Sequence, residues 1–291
     1  MNLPTLFPVK PAGRIGVLLL ALWALTLFGQ PAVSASSVSR HKATPKPTIV
    51  LVHGAFADAS SWDGEIMRLQ QAGYTVYAPP NPLRGVSYDS GVIRNFLKTI
   101  KGPIILVGHS YAGMVISNAA TGNSQVKALV FVDAFIPERG ETANQLSNAR
   151  PGSCLGGGGD PHKVFTFVTV PGAPKGDYDL YLKSQADAPY PGVAKCFAND
   201  LSPRQAAVVL ATQRPAAMLA FSEPSGVPAW KTIPSWAIFG TQDHPIPPAE
   251  LLFMAQRAHA HIVPINASHL GLISHPQAVT NLILKAATAT R

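Results

Sequence analysis

A short β-branched run, Ile104-Ile105-Leu106-Val107, meets an apolar helical stretch beginning at Met114 across the small-residue turn Gly108-His109-Ser110-Tyr111-Ala112-Gly113. Such a run reads as a parallel strand covered on both faces, which requires helices on either side of a sheet. The turn between them is tight. It strains the backbone at its apex, holds the Ser110 hydroxyl clear of the main chain and aims the following N–H groups at one spot. The usual Gly-x-Ser-x-Gly spacing is broken only by Ala112, with Gly113 next in the chain.

Strand and helix signals alternate on both sides of this junction. Strands are predicted over 48–52, 74–78 and 126–132, with helices near 61–72, 88–100 and 111–120. From 137 to about 228 the order breaks into a Pro- and Gly-dense segment with one clear helical stretch, 202–212. Strands 235–240 and 261–265 and helices 248–259 and 276–287 then resume. The expected fold class is therefore α/β, a mostly parallel central sheet flanked by helices, with core parts at 48–136 and 229–291 and an inserted cap at 137–228. With 291 residues, 47% of them hydrophobic, the chain can bury such a core. The run Gly156 to Gly159 lacks the strand before and the helix after that a phosphate loop needs, so it reads as a surface turn.

The N-terminus differs in kind. Lys10 and Arg14 precede an apolar stretch from Ile15 to Gly29, and Val33-Ser34-Ala35 offers small residues for cleavage. This predicts a signal peptide at 1–35 and a linker at 36–47. The apolar stretch is shorter than the roughly 20 residues a spanning helix needs, so no stable membrane anchor is expected after cleavage. Export to a bacterial periplasm or to the medium follows, and there the two cysteines, Cys154 and Cys196, are expected to pair. Closing that long loop contributes on the order of 4 kcal/mol in the chain-entropy model. The net charge is +8, but Lys and Arg are scattered without aromatic interleaving, so no nucleic-acid partner is expected.

Chemistry at Ser110 requires a base within hydrogen-bond reach and an anion to orient that base. In an open parallel sheet the reactive groups gather just beyond the carboxyl ends of strands. Asp243, after strand 235–240, and His269, after strand 261–265, occupy such positions. Asp133, after strand 126–132, is the alternative acid. His244 competes as a base but comes early in the chain, and His259 and His261 have no third ligand nearby, so no metal is expected. An oxyanion needs two donors, for which the Ala55 and Tyr111 main-chain N–H groups are placed, with Phe56 N–H as an alternative and His53 as a structural residue of the loop. Phe56 and Phe135 are candidate pocket residues.

Assembled, these motifs resemble the α/β-hydrolase superfamily, and within it the bacterial esterase-like branch related to plant methyl esterases and hydroxynitrile lyases. The resemblance runs from about Pro47 to Ala287. It rests on Leu51-Val52-His53-Gly54-Ala55-Phe56 with Trp62, on Gly108 to Met114, on Gly240-Thr241-Gln242-Asp243, and on Ser268-His269-Leu270 with Ser274-His275-Pro276. It implies a Ser110, Asp243, His269 triad, no cofactor, and a pocket under the cap. Hydroxynitrile lyases of this branch carry a lysine after the catalytic histidine, where this chain has Leu270. The expected activity is therefore hydrolysis of a small, apolar carboxylic ester or lactone through an acyl-enzyme. Cyanohydrin or C–C bond cleavage on the same triad, and a non-catalytic ligand-binding relative, are the other readings.

Overall fold

A computed structural model describes residues 45–156, 160–172, 176–183 and 192–290. The expected signal peptide, nearly all of the linker and residues 157–159 of the glycine run lie outside the described residues.

In chain order, β1 (Thr48–Val52) leads through α1 (Asp63–Gln71) to β2 (Val76–Tyr77), and α2 (Val86–Leu97) leads to β3 (Ile104–His109). Next, α3 (Ala112–Ala119) connects to β4 (Val126–Val132). The segment that follows holds α4 (Ala143–Asn148), β5 (Phe165–Thr169), β6 (Tyr178–Leu182), α5 (Gly192–Cys196), α6 (Pro203–Ala211), β7 (Ala216–Ala217) and α7 (Met218–Ser222). The chain ends with β8 (Ser235–Gly240), α8 (Pro248–Arg257), β9 (His261–Ile265), α9 (Gly271–Ser274) and α10 (Pro276–Ala289).

Six of the strands form one sheet in the order β2-β1-β3-β4-β8-β9, each pair parallel. Every residue of β3 and β8 is buried, as the continuous apolar runs require. β2 is shorter than predicted because it is an edge strand: Tyr77 is exposed and Pro79 and Pro80, which lack N–H donors, follow it. Helices α1 and α10 pack on one another, as do α2 and α3, and α3 also lies against β3 and β4.

β5, β6 and β7 form a separate antiparallel sheet that the sequence pattern does not disclose. Its strands are short, and β5 buries one residue fully. The register of the main sheet aligns Val52 with Gly108, Gly108 with Phe131, and Gly240 with Ile265, so the loops leaving β1, β3, β4, β8 and β9 emerge along one edge. Strand order reverses between β1 and β3, which places a crevice beside Ser110.

Candidate active site

Ser110 follows β3 directly and has φ of 54°, a left-handed conformation that a side chain rarely adopts. The surroundings hold it there: Ser110 N–H donates to Val132 C=O, and its own carbonyl accepts from Gly113 N–H. The glycine requirement of this elbow falls at 113. A Cβ there would stand 1.9 Å from the Phe135 carbonyl oxygen, whereas Ala112 is tolerated. Across the crevice Gly54 is equally constrained, since a Cβ would stand 2.7 Å from Ser110 Cβ.

The loops after β8 and β9 converge on this serine. Ser110 Oγ lies 2.8 Å from His269 Nε2, and His269 Nδ1 lies 2.7 Å from Asp243 Oδ2. Asp243 Oδ1 in turn accepts from Ile246 N–H at 2.8 Å. A carboxylate accepts only, so His269 Nδ1 carries the proton and Nε2 is free to accept from the hydroxyl. Burial lowers His269 to about 3, which keeps the ring uncharged at rest.

Asp133 reaches neither His269 nor Ser110. Its Oδ1 accepts from Gly240 N–H at 2.6 Å, while Oδ2 faces the Gly271 main chain without a well-formed bond. Burial raises Asp133 and Asp243 alike, and for Asp133 the neighbouring Asp243 charge adds to it. Of the two, Asp243 receives the stronger donor set, from the imidazole and from Ile246. The resting proton therefore belongs on Asp133.

Ala55 and Tyr111 flank the serine on its β1 and α3 sides, and neither N–H donates to a backbone carbonyl among the described residues. The Tyr111 phenol is fully buried and donates to Asp89 Oδ2 at 2.8 Å, away from the site. His53 is held at both ring nitrogens, accepting from Asn81 N–H and donating to Gly54 C=O, and burial lowers it to about 4. Phe135 is 2% exposed and does not line the cavity bordered by Ala55, Phe56 and His109. That corrects its assignment to the pocket: its backbone must meet Gly113, which draws the ring into the core.

Three contributors were not read from the sequence. His109 Nε2 donates to the His269 carbonyl at 3.0 Å, fixing the main chain at His269. Asp200 Oδ2 accepts from Ser268 N–H at 3.0 Å, and Phe197 sets its ring 5.3 Å from the His269 ring. Cys196, beside Phe197, is disulfide-bonded to Cys154. His109 stands inside the Gly-His-Ser motif and was legible in principle; nothing local marks Asp200. A cavity of about 390 Å³ is walled by Ala55, Phe56, His109, Phe197, Val208 and Leu270, with Asp58, Asp63 and Arg204 also on its lining; it meets the neighbours of Ser110 and His269 in the chain rather than those two side chains themselves. No group of three or more His, Cys, Asp or Glu among the described residues is arranged to hold a metal ion.

Residues 49–282 match the family described as "Alpha/beta hydrolase family". A carbendazim-hydrolysing esterase of Nocardioides sp. (strain SG-4G) is 32% identical over 110 residues, 33% of this chain and 46% of that protein, so the match spans less than half of its length. The alpha/beta hydrolase nvfD of Aspergillus novofumigatus (strain IBT 16806) is 26% identical over 266 residues, 83% of this chain and 97% of that protein. Among solved structures, polyneuridine aldehyde esterase superposes with a TM-score of 0.67 at 19% identity, covering 83% of this chain and 99% of that one. At that identity the likeness concerns the fold.

Proposed function

The chain belongs to the alpha/beta hydrolase family, and from that premise we propose that it hydrolyses carboxylic esters through an acyl-enzyme on Ser110. The observation that carries this reading is the unbroken hydrogen-bonded chain from Ser110 Oγ through His269 to Asp243, with contacts of 2.8 and 2.7 Å. His269 Nε2 takes the serine proton as Oγ attacks the ester carbonyl, and Asp243 stabilises the imidazolium that results. Negative charge develops on the former carbonyl oxygen, for which the Ala55 and Tyr111 N–H groups are the proposed donors. The imidazolium protonates the departing alcohol. Water, deprotonated by the same ring, then releases the acid.

Leu270 supports hydrolysis over cyanohydrin cleavage. It is 5% exposed and borders the cavity where a lyase would need an ammonium. The esterase named among the relatives points to the same reaction class. We assign residues 137–228 to a cap over the site and residues 1–35 to an export signal. The Cys154–Cys196 bond fits an oxidising compartment.

The test is turnover of 4-nitrophenyl acetate by the purified chain and by Ser110→Ala. Activity that disappears with the hydroxyl supports the reading, and wild-type rates in the variant overturn it.

A further inference from the structure

A second cavity, also about 390 Å³, lies inside the segment between β4 and β8, walled by Phe165, Phe167, Leu180, Met218 and Phe221. It shares no lining residue with the first. What separates the two is aromatic. The Phe56 ring, a wall of the first cavity, stacks on Phe165 at 5.7 Å and on Phe221 at 5.8 Å, both walls of the second. Phe197 meets the edge of Phe56 at 6.1 Å and also abuts His269. Phe221 further approaches the ring of Tyr111, the residue after the nucleophile, at 6.1 Å. The partition thus reaches His269 through Phe197, with one cavity on each side of the stacked rings.

Two features make it movable. Phe221 is only partly buried and is carried by the five-residue helix α7, and a helix that short draws little stability of its own. Stacked phenylalanine rings carry no hydrogen bond that a displacement would break, and an apolar ligand group replaces their contacts in kind. Each cavity alone sits near the lower end of the range of small-molecule sites, about 300–1,000 Å³, and joined they reach its upper half.

We propose that the two cavities form one divided substrate site with the Phe56–Phe221 stack as its displaceable wall, and that the substrate class is an ester bearing an apolar group on each side of the carbonyl. The inference rests on Ser110 being the nucleophile. One arm lies against Phe56, Val208 and Leu270. The other lies among Phe167, Leu180 and Met218 and is uncharged, since no ionisable side chain among the described residues lines that cavity.

The experiment compares kcat/KM for 4-nitrophenyl 3-phenylpropanoate, aromatic on both sides, with that for 4-nitrophenyl acetate. It uses the wild type, Met218→Trp and Phe221→Ala. Met218 is 37% exposed, so a larger ring reaches the second cavity from its open edge. The two-armed to one-armed ratio is expected to fall about tenfold in Met218→Trp and to rise several-fold in Phe221→Ala, as for gain or loss of one apolar subsite. A ratio unchanged within twofold in both variants overturns the proposal. Failure of the underlying reading looks different: acetate turnover then survives Ser110→Ala, whatever the ratio.

Discussion

The parallel sheet and the segment between β4 and β8 hold their parts of the site by different means. The sheet places Ser110, Asp243 and His269 through backbone register and close main-chain approach at Gly54 and Gly113. The inserted segment has short, half-exposed strands and grips the sheet through side chains: Arg84 with Asp179, Arg257 with Glu141, and Glu223 with Ser87. Its covalent bond adds a further hold. Next to Cys154 and Cys196, Cys154 N–H donates to His244 C=O, Ser153 Oγ–H to Pro245 C=O, and Asp200 accepts from Ser268 N–H. One disulfide-tied unit therefore touches both the loop that carries Asp243 and the loop that carries His269. The sheet sets which atoms meet, and the segment between β4 and β8 sets how tightly their loops are held.

This division is broken most directly at the triad. His269→Ala is expected to lower kcat/KM for 4-nitrophenyl acetate by at least about a thousandfold, and Asp243→Asn by about 10⁴-fold, because the amide would favour the wrong imidazole tautomer. Loss of less than tenfold in His269→Ala would place the base elsewhere.

Glu65, in α1, is fully buried with neither carboxyl oxygen hydrogen-bonded among the described residues, and burial raises it to about 9. A folded pKa above the unfolded value means that the folded state binds more protons from about pH 4.5 to 9, so stability falls as pH rises through that window. Glu65→Gln removes this dependence and should be more stable than the wild type at pH 8, by on the order of 3 kcal/mol. Urea unfolding at pH 5 and pH 8 checks it: equal midpoints of the two proteins at both values would contradict the assignment. The buried histidines titrate in both proteins and cancel.

At the insertion, Asp200→Ala should reduce kcat about tenfold with KM changed less than threefold, since the base loop shifts while the cavities remain. Asp200→Asn keeps an acceptor oxygen for Ser268 N–H and should recover most of the loss. If both variants change KM and leave kcat alone, Asp200 belongs to substrate binding instead. The smallest effect is expected at Asp133. Held protonated, it is mimicked by Asn, and Asp133→Asn should stay within about threefold of wild-type kcat/KM. A loss comparable to that of Asp243→Asn would make Asp133 part of the charge relay.

Where the physics is local, the chain was readable. Strands 126–132, 235–240 and 261–265 match the observed bounds; the first two are central strands whose mostly buried, mostly apolar runs mark them, while β9 is an edge strand with no fully buried residue. Helix starts moved by a residue or two where capping intervenes, as at α2, whose Asp89 carboxylate accepts from Arg84 and Gly85 N–H. The insertion was not readable in this way. β5 to β7 are too short for a period of two to stand out among Pro and Gly, and the contacts of Asp200 and Phe197 with the base loop span about 70 positions of sequence. Phe135 illustrates the same limit. Its apolar type fits pocket and core equally, and only the approach of its carbonyl to Gly113 decides.

The central claim is that Ser110 is a nucleophile poised by His269. Incubating the purified chain with a fluorophosphonate, digesting it and sequencing the modified peptide by mass spectrometry tests this directly. The account predicts one adduct, on Ser110, formed at least about a hundredfold more slowly in His269→Ala. An adduct on another residue, or no adduct in a folded protein that still turns over esters, would contradict it.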